Sequence, residues 1–193
     1  EQLLMDHCRD EATFEKLVTM VNDFKQYFIA HDQPIYENPS PGNKAGGITT
    51  LEEKSLGCIH KGGHTPVNAV YDYAKQVEAH QGLVIMDTPG NDPSSVAAMV
   101  AGGAQVIVFS SGRGTPTGNP LAPVIKITGN RITFAKMEDN IDVDASPIIY
   151  GGDLKKLGDD FMKLVSEVAS GRQTKAEALG FTEMAIARVC NFV

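Results

Sequence analysis

The side chains most able to do chemistry are concentrated in residues 43–64. This segment holds carboxylates, lysines, a thiol and histidines: Glu52, Glu53, Lys44, Lys54, Lys61, Cys58, His60 and His64. Glycines interrupt it at Gly46, Gly47, Gly57, Gly62 and Gly63. Glycine permits tight turns and close approach of the backbone to a small ligand. A solvated surface loop needs neither the glycines nor the thiol, so the segment indicates a functional site.

A thiol, an imidazole and a carboxylate in this segment could bind a divalent metal. Cys58 and His60, with Glu52 or Glu53 nearby, form a mixed sulfur, nitrogen and oxygen donor set. Such a set suits Fe(II), Mn(II) or Zn(II) better than Mg(II) or Ca(II). A Cys-x-His pair is no established metal signature, and cysteine is also among the most often buried residue types. The alternative that Cys58 is a small core residue therefore stays open.

Cationic side chains near glycines are suited to an anionic ligand. Lys61 and Lys44 could act as acid or base or pair with a carboxylate, with a solvated lysine as the open alternative. Arg113 stands between Gly112 and Gly114, where its guanidinium could hold a carboxylate through two parallel hydrogen bonds. The glycine spacing misses the dinucleotide fingerprint and no helix is expected after it, which excludes a Rossmann cofactor loop.

Short apolar runs predict the strands that must position these groups. We expect strands at 83–86, 105–109 and 123–128, with a helix opened by Asp92 and Pro93 between the first two. This order is typical of a βαβ unit with parallel, buried strands, whose carboxyl ends form the ligand-binding edge. The predicted fold class is therefore α/β: a three-layer, Rossmann-like domain with a small, mostly parallel sheet flanked by helices.

Apolar periodicity and capping residues predict the helices. One helix spans 11–30, and a short one begins after Thr49 or Thr50 and ends at Gly57. Pro66, at a first helical position, opens a helix from 65 to about 80. Two more helices are expected at 153–170 and 174–180.

Composition limits the classes of partner. The net charge of −7 argues against nucleic acid, and no apolar run is long enough for a membrane span. The 193 residues suit one domain, and three scattered cysteines favour a reducing compartment, so we expect a cytoplasmic protein. Because the chain begins at Glu1 without methionine, we expect a fragment or a processed chain.

Four runs of the sequence together resemble the C-terminal portion of the altronate/galactarate dehydratase family, whose relatives include a sulfolactate sulfo-lyase. The runs are 34–58, 86–90, 109–114 and 136–142. The resemblance implies an enzyme that removes water from an aldonate or aldarate to give a 2-keto-3-deoxy acid. It also implies dependence on Fe(II) or Mn(II), and an N-terminal remainder beyond the single domain expected for residues 1–193.

We expect Lys61, His60 and Glu53 to be catalytic and Cys58 and Glu52 to bind the metal. The expected substrate-binding residues are Arg113, Gly112, Gly114, Thr88, Asn43 and Lys44. The expected partners are a small sugar acid, the N-terminal remainder and further copies of the same enzyme in a homo-oligomer, without nucleic acid or membrane. The alternatives are a C–S lyase of the sulfo-lyase type and a non-catalytic domain for anion binding or oligomerisation.

Overall fold

The computed structural model of the chain describes residues 2–35, 38–78 and 82–186. The chain divides into two compact units. The first comprises the described residues within Glu1–Tyr73 and Val77–Asp87, and the second those within Ala74–Gln76 and Thr88–Val193. Both units combine helices with parallel strands, which confirms the predicted α/β class. The expectation of a single domain over residues 1–193 stays a prediction.

The first unit contains four helices and two strands among its described residues. They are α1 (Gln2–Met5), α2 (Glu11–Ala30), α3 (Pro41–Ala45), α4 (Leu51–His60), β1 (Val67–Tyr71) and β2 (Leu83–Met86). The helix predicted at 11–30 is confirmed as α2. Its N-cap is Asp10, whose carboxylate accepts a hydrogen bond from the backbone N–H of Thr13 at 2.9 Å. This bond satisfies an N–H group that the helix itself leaves unpaired.

Strand β1 overturns the helix predicted from 65 to about 80, of which residues 79 and 80 lie outside the described residues. β1 pairs in parallel with β2, from Val67 opposite Leu83 to Tyr71 opposite Met86. The side chains of Val67 and Val70 pack with Leu17 of α2 in the core of this unit. β-branched and aromatic side chains favour a pleated, half-buried surface, and this packing outweighs the capping signal of Pro66.

Helix α4 continues three residues beyond the end predicted at Gly57. Thr50 caps it, with Oγ1 accepting from the backbone N–H of Glu53 at 3.1 Å. A Cβ added at Gly57 would meet nothing within 4 Å, so the glycine lies on an open side and forces no turn. Cys58 and His60 are therefore helical residues and not part of a glycine-bounded loop.

The second unit contains three strands and four α-helices among its described residues. They are α5 (Asp92–Ala101), β3 (Ile107–Ser110), β4 (Val124–Thr128), α6 (Arg131–Lys136), β5 (Val143–Asp144), α7 (Leu154–Ala169) and α8 (Lys175–Ala178), with a 3₁₀ helix at Ser146–Tyr150. The predicted strands at 105–109 and 123–128 and the predicted helices at 153–170 and 174–180 are confirmed, with boundaries shifted by a few residues.

The sheet of the second unit has the order β3-β4-β5, and all its pairs are parallel. Val96 of α5 packs against Ile107 and Val124 in its core. The prediction that the strand at 83–86 shares this sheet is wrong, because that strand pairs with β1 in the separate two-stranded sheet. Its partner is the strand at 67–71, which lies in the segment predicted to be helical. Over the described ranges, no helix is long and apolar enough to cross a membrane.

Candidate functional site

The loop that follows β3, residues 111–119, presents Arg113 and is called the arginine loop here. Hydrogen bonds hold the backbone of the first half of this loop on both sides of Arg113. The Ser111 hydroxyl accepts from the backbone N–H of Gly114 at 2.9 Å, and the Gly112 carbonyl accepts from the Thr133 hydroxyl at 2.8 Å. The Arg113 side chain is exposed. Hydrogen bonds therefore hold the backbone around Arg113 in place, while the Arg113 side chain is exposed to solvent.

The second half of the arginine loop is held by hydroxyls and by a buried lysine. The hydroxyls of Thr115 and Thr117 lie 2.8 Å apart, and Thr115 Oγ1 also accepts from the backbone N–H of Thr117 at 3.3 Å. Lys126 Nζ donates to the carbonyls of Pro116 and Thr117 at 3.4 and 3.2 Å. These contacts leave the loop little conformational freedom.

Two glycines of the arginine loop are required by its packing and one is not. Gly114 has a φ of +81°, and a Cβ there would overlap the sulfur of Met137. A Cβ at Gly118 would overlap the carbonyl oxygen of Phe181. Gly112 is exposed, and a Cβ there would meet nothing within 4 Å. Close packing, and not general flexibility, explains Gly114 and Gly118.

A rigid loop with an exposed guanidinium can bind a carboxylate. The planar guanidinium matches the two oxygens of a carboxylate, which a flexible ammonium does less well. Because the loop is already ordered, binding loses little conformational entropy in the backbone. Of the predicted substrate-binding residues, the structure brings Arg113, Gly112 and Gly114 together in this loop.

Thr88 also belongs to the second unit and lies just before α5. Its half-buried hydroxyl is 3.0 Å from the hydroxyl of Ser95. The N-cap of α5 is Asn91, whose side-chain oxygen accepts from the backbone N–H of Ser94 at 3.4 Å. Thr88 is thereby anchored to the first turns of a helix, which fixes it well enough to contact a ligand.

The remaining predicted site residues lie in the first unit, on α3 and α4. Asn43 and Lys44 are in α3, and Lys44 is exposed. Cys58 is also exposed, which excludes the alternative that it is a core residue. His60 ends α4 and Lys61 follows it directly, both with exposed side chains. The structure thus keeps the polar residues of this segment at the surface of a short helix.

The donors predicted for a metal do not converge along α4. Glu52 and Cys58 are six residues apart, and residues with this spacing differ by about 120° around a helix axis. Within the described ranges, no group of three or more His, Cys, Asp or Glu side chains could hold a metal ion. The described residues therefore do not fit a complete metal site, and the metal stays a prediction.

Glu53 has a structural role that competes with catalysis. Its carboxylate accepts from the backbone N–H of Thr49 at 3.0 Å and from the Thr49 hydroxyl at 3.2 Å. These hydrogen bonds to Thr49 lower the pKa of the Glu53 carboxyl, helped by the backbone of Thr50. A lower pKa makes the carboxylate a weaker base. Lys61 and His60 are the better candidates for proton transfer.

Two groups of the sheets were absent from our predicted site. Burial raises the pKa of Asp87, which follows β2, and the nearby carboxylates of Asp72 and Asp23 raise it further. Lys126 is only 2% exposed in the middle of β4. The sequence carries a signal for both: an acid directly after an apolar run, and a lysine inside the run Val-Ile-Lys-Ile-Thr. A charged side chain in a buried strand costs free energy unless hydrogen bonds or an ion pair compensate for the lost hydration.

Comparison with known proteins gives a consistent result along the whole chain. A family model described as D-galactarate/altronate dehydratase, C-terminal, matches residues 1–191. The chain is 55% identical over 186 residues to the altronate dehydratase of Escherichia coli and 43% identical over 188 residues to that of Bacillus subtilis. Each match covers 96% of this chain and 37% of the relative, so the chain spans little more than a third of their length.

A third relative carries a different activity in its name. The chain is 35% identical over 183 residues to the (2R)-sulfolactate sulfo-lyase subunit beta of Chromohalobacter salexigens. The match covers 94% of this chain and 46% of that protein. The resemblance predicted from the four sequence runs is confirmed by these matches. The chain belongs to the D-galactarate/altronate dehydratase family and corresponds to its C-terminal region.

Proposed function

We propose that the chain is the C-terminal part of a sugar-acid dehydratase that eliminates water from an aldonate or aldarate such as altronate or galactarate. The product is a 2-keto-3-deoxy acid. The names of the relatives at 55% and 43% identity support this substrate class. The observation that carries the proposal is the arginine loop, whose fixed backbone presents Arg113 for a carboxylate.

The reaction needs groups that this chain can supply. A base removes the proton on C2 beside the carboxylate, the electron pair forms the C2–C3 double bond, and the C3 hydroxyl leaves as water with a proton from an acid. The enol product then tautomerises to the ketone. We assign the carboxylate to Arg113, whose positive charge stabilises the negative charge that develops beside it. We assign proton transfer to Lys61 and His60, with Glu53 the weaker candidate because of its lowered pKa.

A divalent metal, Fe(II) or Mn(II), belongs to the proposal only for the complete enzyme. Such an ion would act as a Lewis acid on the developing charge. Cys58 and Glu52 lie on different sides of α4, so we propose that one of them at most is a donor and that residues outside this chain supply the others. We likewise propose the N-terminal remainder and further copies of the enzyme as partners, and the cytoplasm as its compartment.

The sulfo-lyase relative supports a second candidate function. In sulfolactate the leaving group on C3 is sulfite in place of hydroxide, while the proton removed is again beside the carboxylate. The same base and the same carboxylate contact would serve both eliminations. Incubating the full-length enzyme with a panel of aldonates, aldarates and sulfolactate distinguishes them, because only the true substrate gives a keto acid at a substantial rate.

The carboxylate contact is tested by titrating galactarate, altronate and phosphate into the 193-residue chain. Replacing Arg113 by alanine should weaken binding of the sugar acids by about 1–3 kcal/mol, because a charge-assisted hydrogen bond is lost. Arg131→Ala, which removes an exposed arginine in the first turn of α6, is the matched control. Equal binding of phosphate and both acids would favour an anion-binding module, and no binding would favour a scaffold domain. An unchanged affinity in R113A would remove Arg113 from the site.

A further inference from the structure

Lys126 lies in the interior of the second unit, in a place where its charge is unfavourable. It is 2% exposed, and its neighbours on β4, Val124 and Ile125, are 1% and 0% exposed. An ammonium group that leaves water loses its hydration, whereas an apolar side chain of similar length would gain from burial. The hydrogen bonds of Lys126 therefore have to explain why the charge is there.

The ammonium of Lys126 reaches from the sheet to the second half of the arginine loop. It donates to the Thr117 carbonyl at 3.2 Å and to the Pro116 carbonyl at 3.4 Å. In the register of the sheet, Lys126 stands opposite Phe109, two residues before the loop begins. The loop follows β3, and its carbonyls at positions 116 and 117 lie within hydrogen-bond distance of Lys126 on the neighbouring strand β4. The ammonium of Lys126 thereby joins the loop to that strand.

The charges around Lys126 leave its ammonium available to the loop. The Asp142 carboxylate accepts from the backbone N–H of Lys126 at 2.7 Å and from the backbone N–H of Lys175 at 2.9 Å. The pKa of the Lys126 ammonium lies below its ordinary value, because burial lowers it most and the charge of Lys175 adds to this, while the charge of Asp142 opposes it. Asp142 thus holds the backbone of the strand, and the lysine side chain holds the loop.

We propose that Lys126 is a positioning residue that keeps the arginine loop in the conformation in which it presents Arg113 to a carboxylate. The inference rests on the proposed function, since it concerns the same anion contact. Arg113 is exposed, so its placement depends on the backbone that carries it. Ser111 and Thr133 fix that backbone before and beside Arg113, and Lys126 fixes it after. Without the ammonium, the carbonyls of residues 116 and 117 lose their donor and the loop is no longer preorganised.

Lys126→Met tests this role, because methionine keeps an unbranched apolar side chain and removes all donors. We expect K126M to bind galactarate about tenfold more weakly than the unchanged 193-residue chain, as measured by isothermal titration calorimetry. Lys136→Met, at an exposed position in α6, is the matched control and should bind like the unchanged chain. A K126M chain with unchanged affinity would overturn the inference.

A double variant shows whether Lys126 acts through Arg113. If it does, R113A/K126M should bind galactarate no more weakly than R113A alone, because the lysine has nothing left to position. Independent, additive losses would overturn the inference and leave the proposed function intact. An unchanged chain that binds no galactarate would overturn the proposed function, whereas an R113A chain that binds it equally well would remove Arg113 from the site and overturn the inference.

Lys126→Gln covers the case in which K126M does not fold. Glutamine keeps N–H donors without the charge, so its effect on binding should be smaller. Hydrogen exchange gives a second readout: the amides of Gly114 and Thr117, both hydrogen-bonded within the loop, should exchange about tenfold faster in the folded variant, while those of β4 stay protected. Weaker binding with unchanged exchange would exclude positioning. Failure of both variants to fold would show that Lys126 serves the fold and not the loop.

Discussion

Neighbouring glycines on either side of Arg113 differ in what they do, although the sequence does not distinguish them. Gly114→Ala should lower the free energy of unfolding in urea by about 1–3 kcal/mol, because alanine is strained at a φ of +81° and its Cβ would overlap Met137. Gly112→Ala is the control and should change stability little, since its Cβ would meet nothing within 4 Å. Equal losses in both variants would show that the loop tolerates no side chain beside Arg113.

The carboxyl of Asp87 makes the stability of the first unit depend on pH. Its pKa is raised above the ordinary value of 3.8 by burial and by Asp72 and Asp23. A raised folded-state pKa means that the protonated form favours folding, so this stability is present at low pH and lost as the pH rises through the folded-state pKa. Asp87→Asn should therefore unfold at higher urea concentration than the unchanged chain at pH 7.

That advantage of D87N should shrink as the pH falls toward 3.8, because the raised pKa means that the Asp87 carboxyl of the folded chain is already protonated there. Urea unfolding at several pH values measures the difference between the two chains. Asp139→Asn, which makes the same change at an exposed position, is the control. A D87N chain that is less stable at pH 7 would show that the charged carboxylate has a favourable partner.

At the scale of elements, a glycine inside helix α4 lowers the stability of that helix. Gly57 is an interior residue of this helix and has open space where a Cβ would be. Gly57→Ala should raise the free energy of unfolding by about 0.5–1 kcal/mol, because alanine loses less backbone entropy in a helix. Gly47→Ala is the contrasting variant: it also has open space, but its φ of +110° should make alanine destabilising. Destabilisation by G57A would mean that the open side is covered in solution.

Elements with a strong local pattern were predictable, and those defined by a distant partner were not. Helix 11–30 has a capping acid and a long apolar period, and it forms with the predicted bounds. Strand β1 has a mixed local signal, and its pairing with β2 decides its conformation. The sequence patterns accordingly predicted the α/β class and most of its helices and strands, and failed where tertiary pairing outweighs local preference.

The candidate site also combines groups with a local sequence signal and groups that only the fold brings together. The arginine between glycines marked the loop that several hydrogen bonds anchor in the structure. The buried Lys126, which supports that loop from β4, lies thirteen residues further along the chain, and its contact depends on the sheet. Cys58 and Glu52 are close in the sequence, but the helix places them on different sides of its axis. Spacing along the chain predicts proximity only when the conformation between the residues is known.

At the scale of the whole molecule, the chain spans 37% of the altronate dehydratases it matches, and activity should depend on the rest. Elimination requires the carboxylate contact, base and acid to be aligned within a fraction of an ångström, and loss of one member typically lowers the rate by orders of magnitude. We expect residues 1–193 to fold, to retain metal weakly and to give negligible turnover, while the full-length enzyme is active.

Turnover is measured as product formed from galactarate and altronate, with added Fe(II) or Mn(II), for both the 193-residue chain and the full-length enzyme. The metal bound after gel filtration, determined by elemental analysis, provides a readout independent of turnover. Full activity in the 193-residue chain would show that this region holds the entire catalytic site and that our division between the two parts of the enzyme is wrong.

The anchoring of the arginine loop also determines how a protease meets it. Arg113 followed by glycine is an exposed bond of the kind trypsin cleaves, and exposed loops are where nicking usually begins. A protease needs the chain to open into an extended strand around that bond, however, and the hydrogen bonds from Thr133 and Lys126 resist such opening. The cleavage rate at this bond therefore follows the population of the opened loop and not the exposure of the arginine. An exposed arginine in this loop can therefore still be a slow site of cleavage.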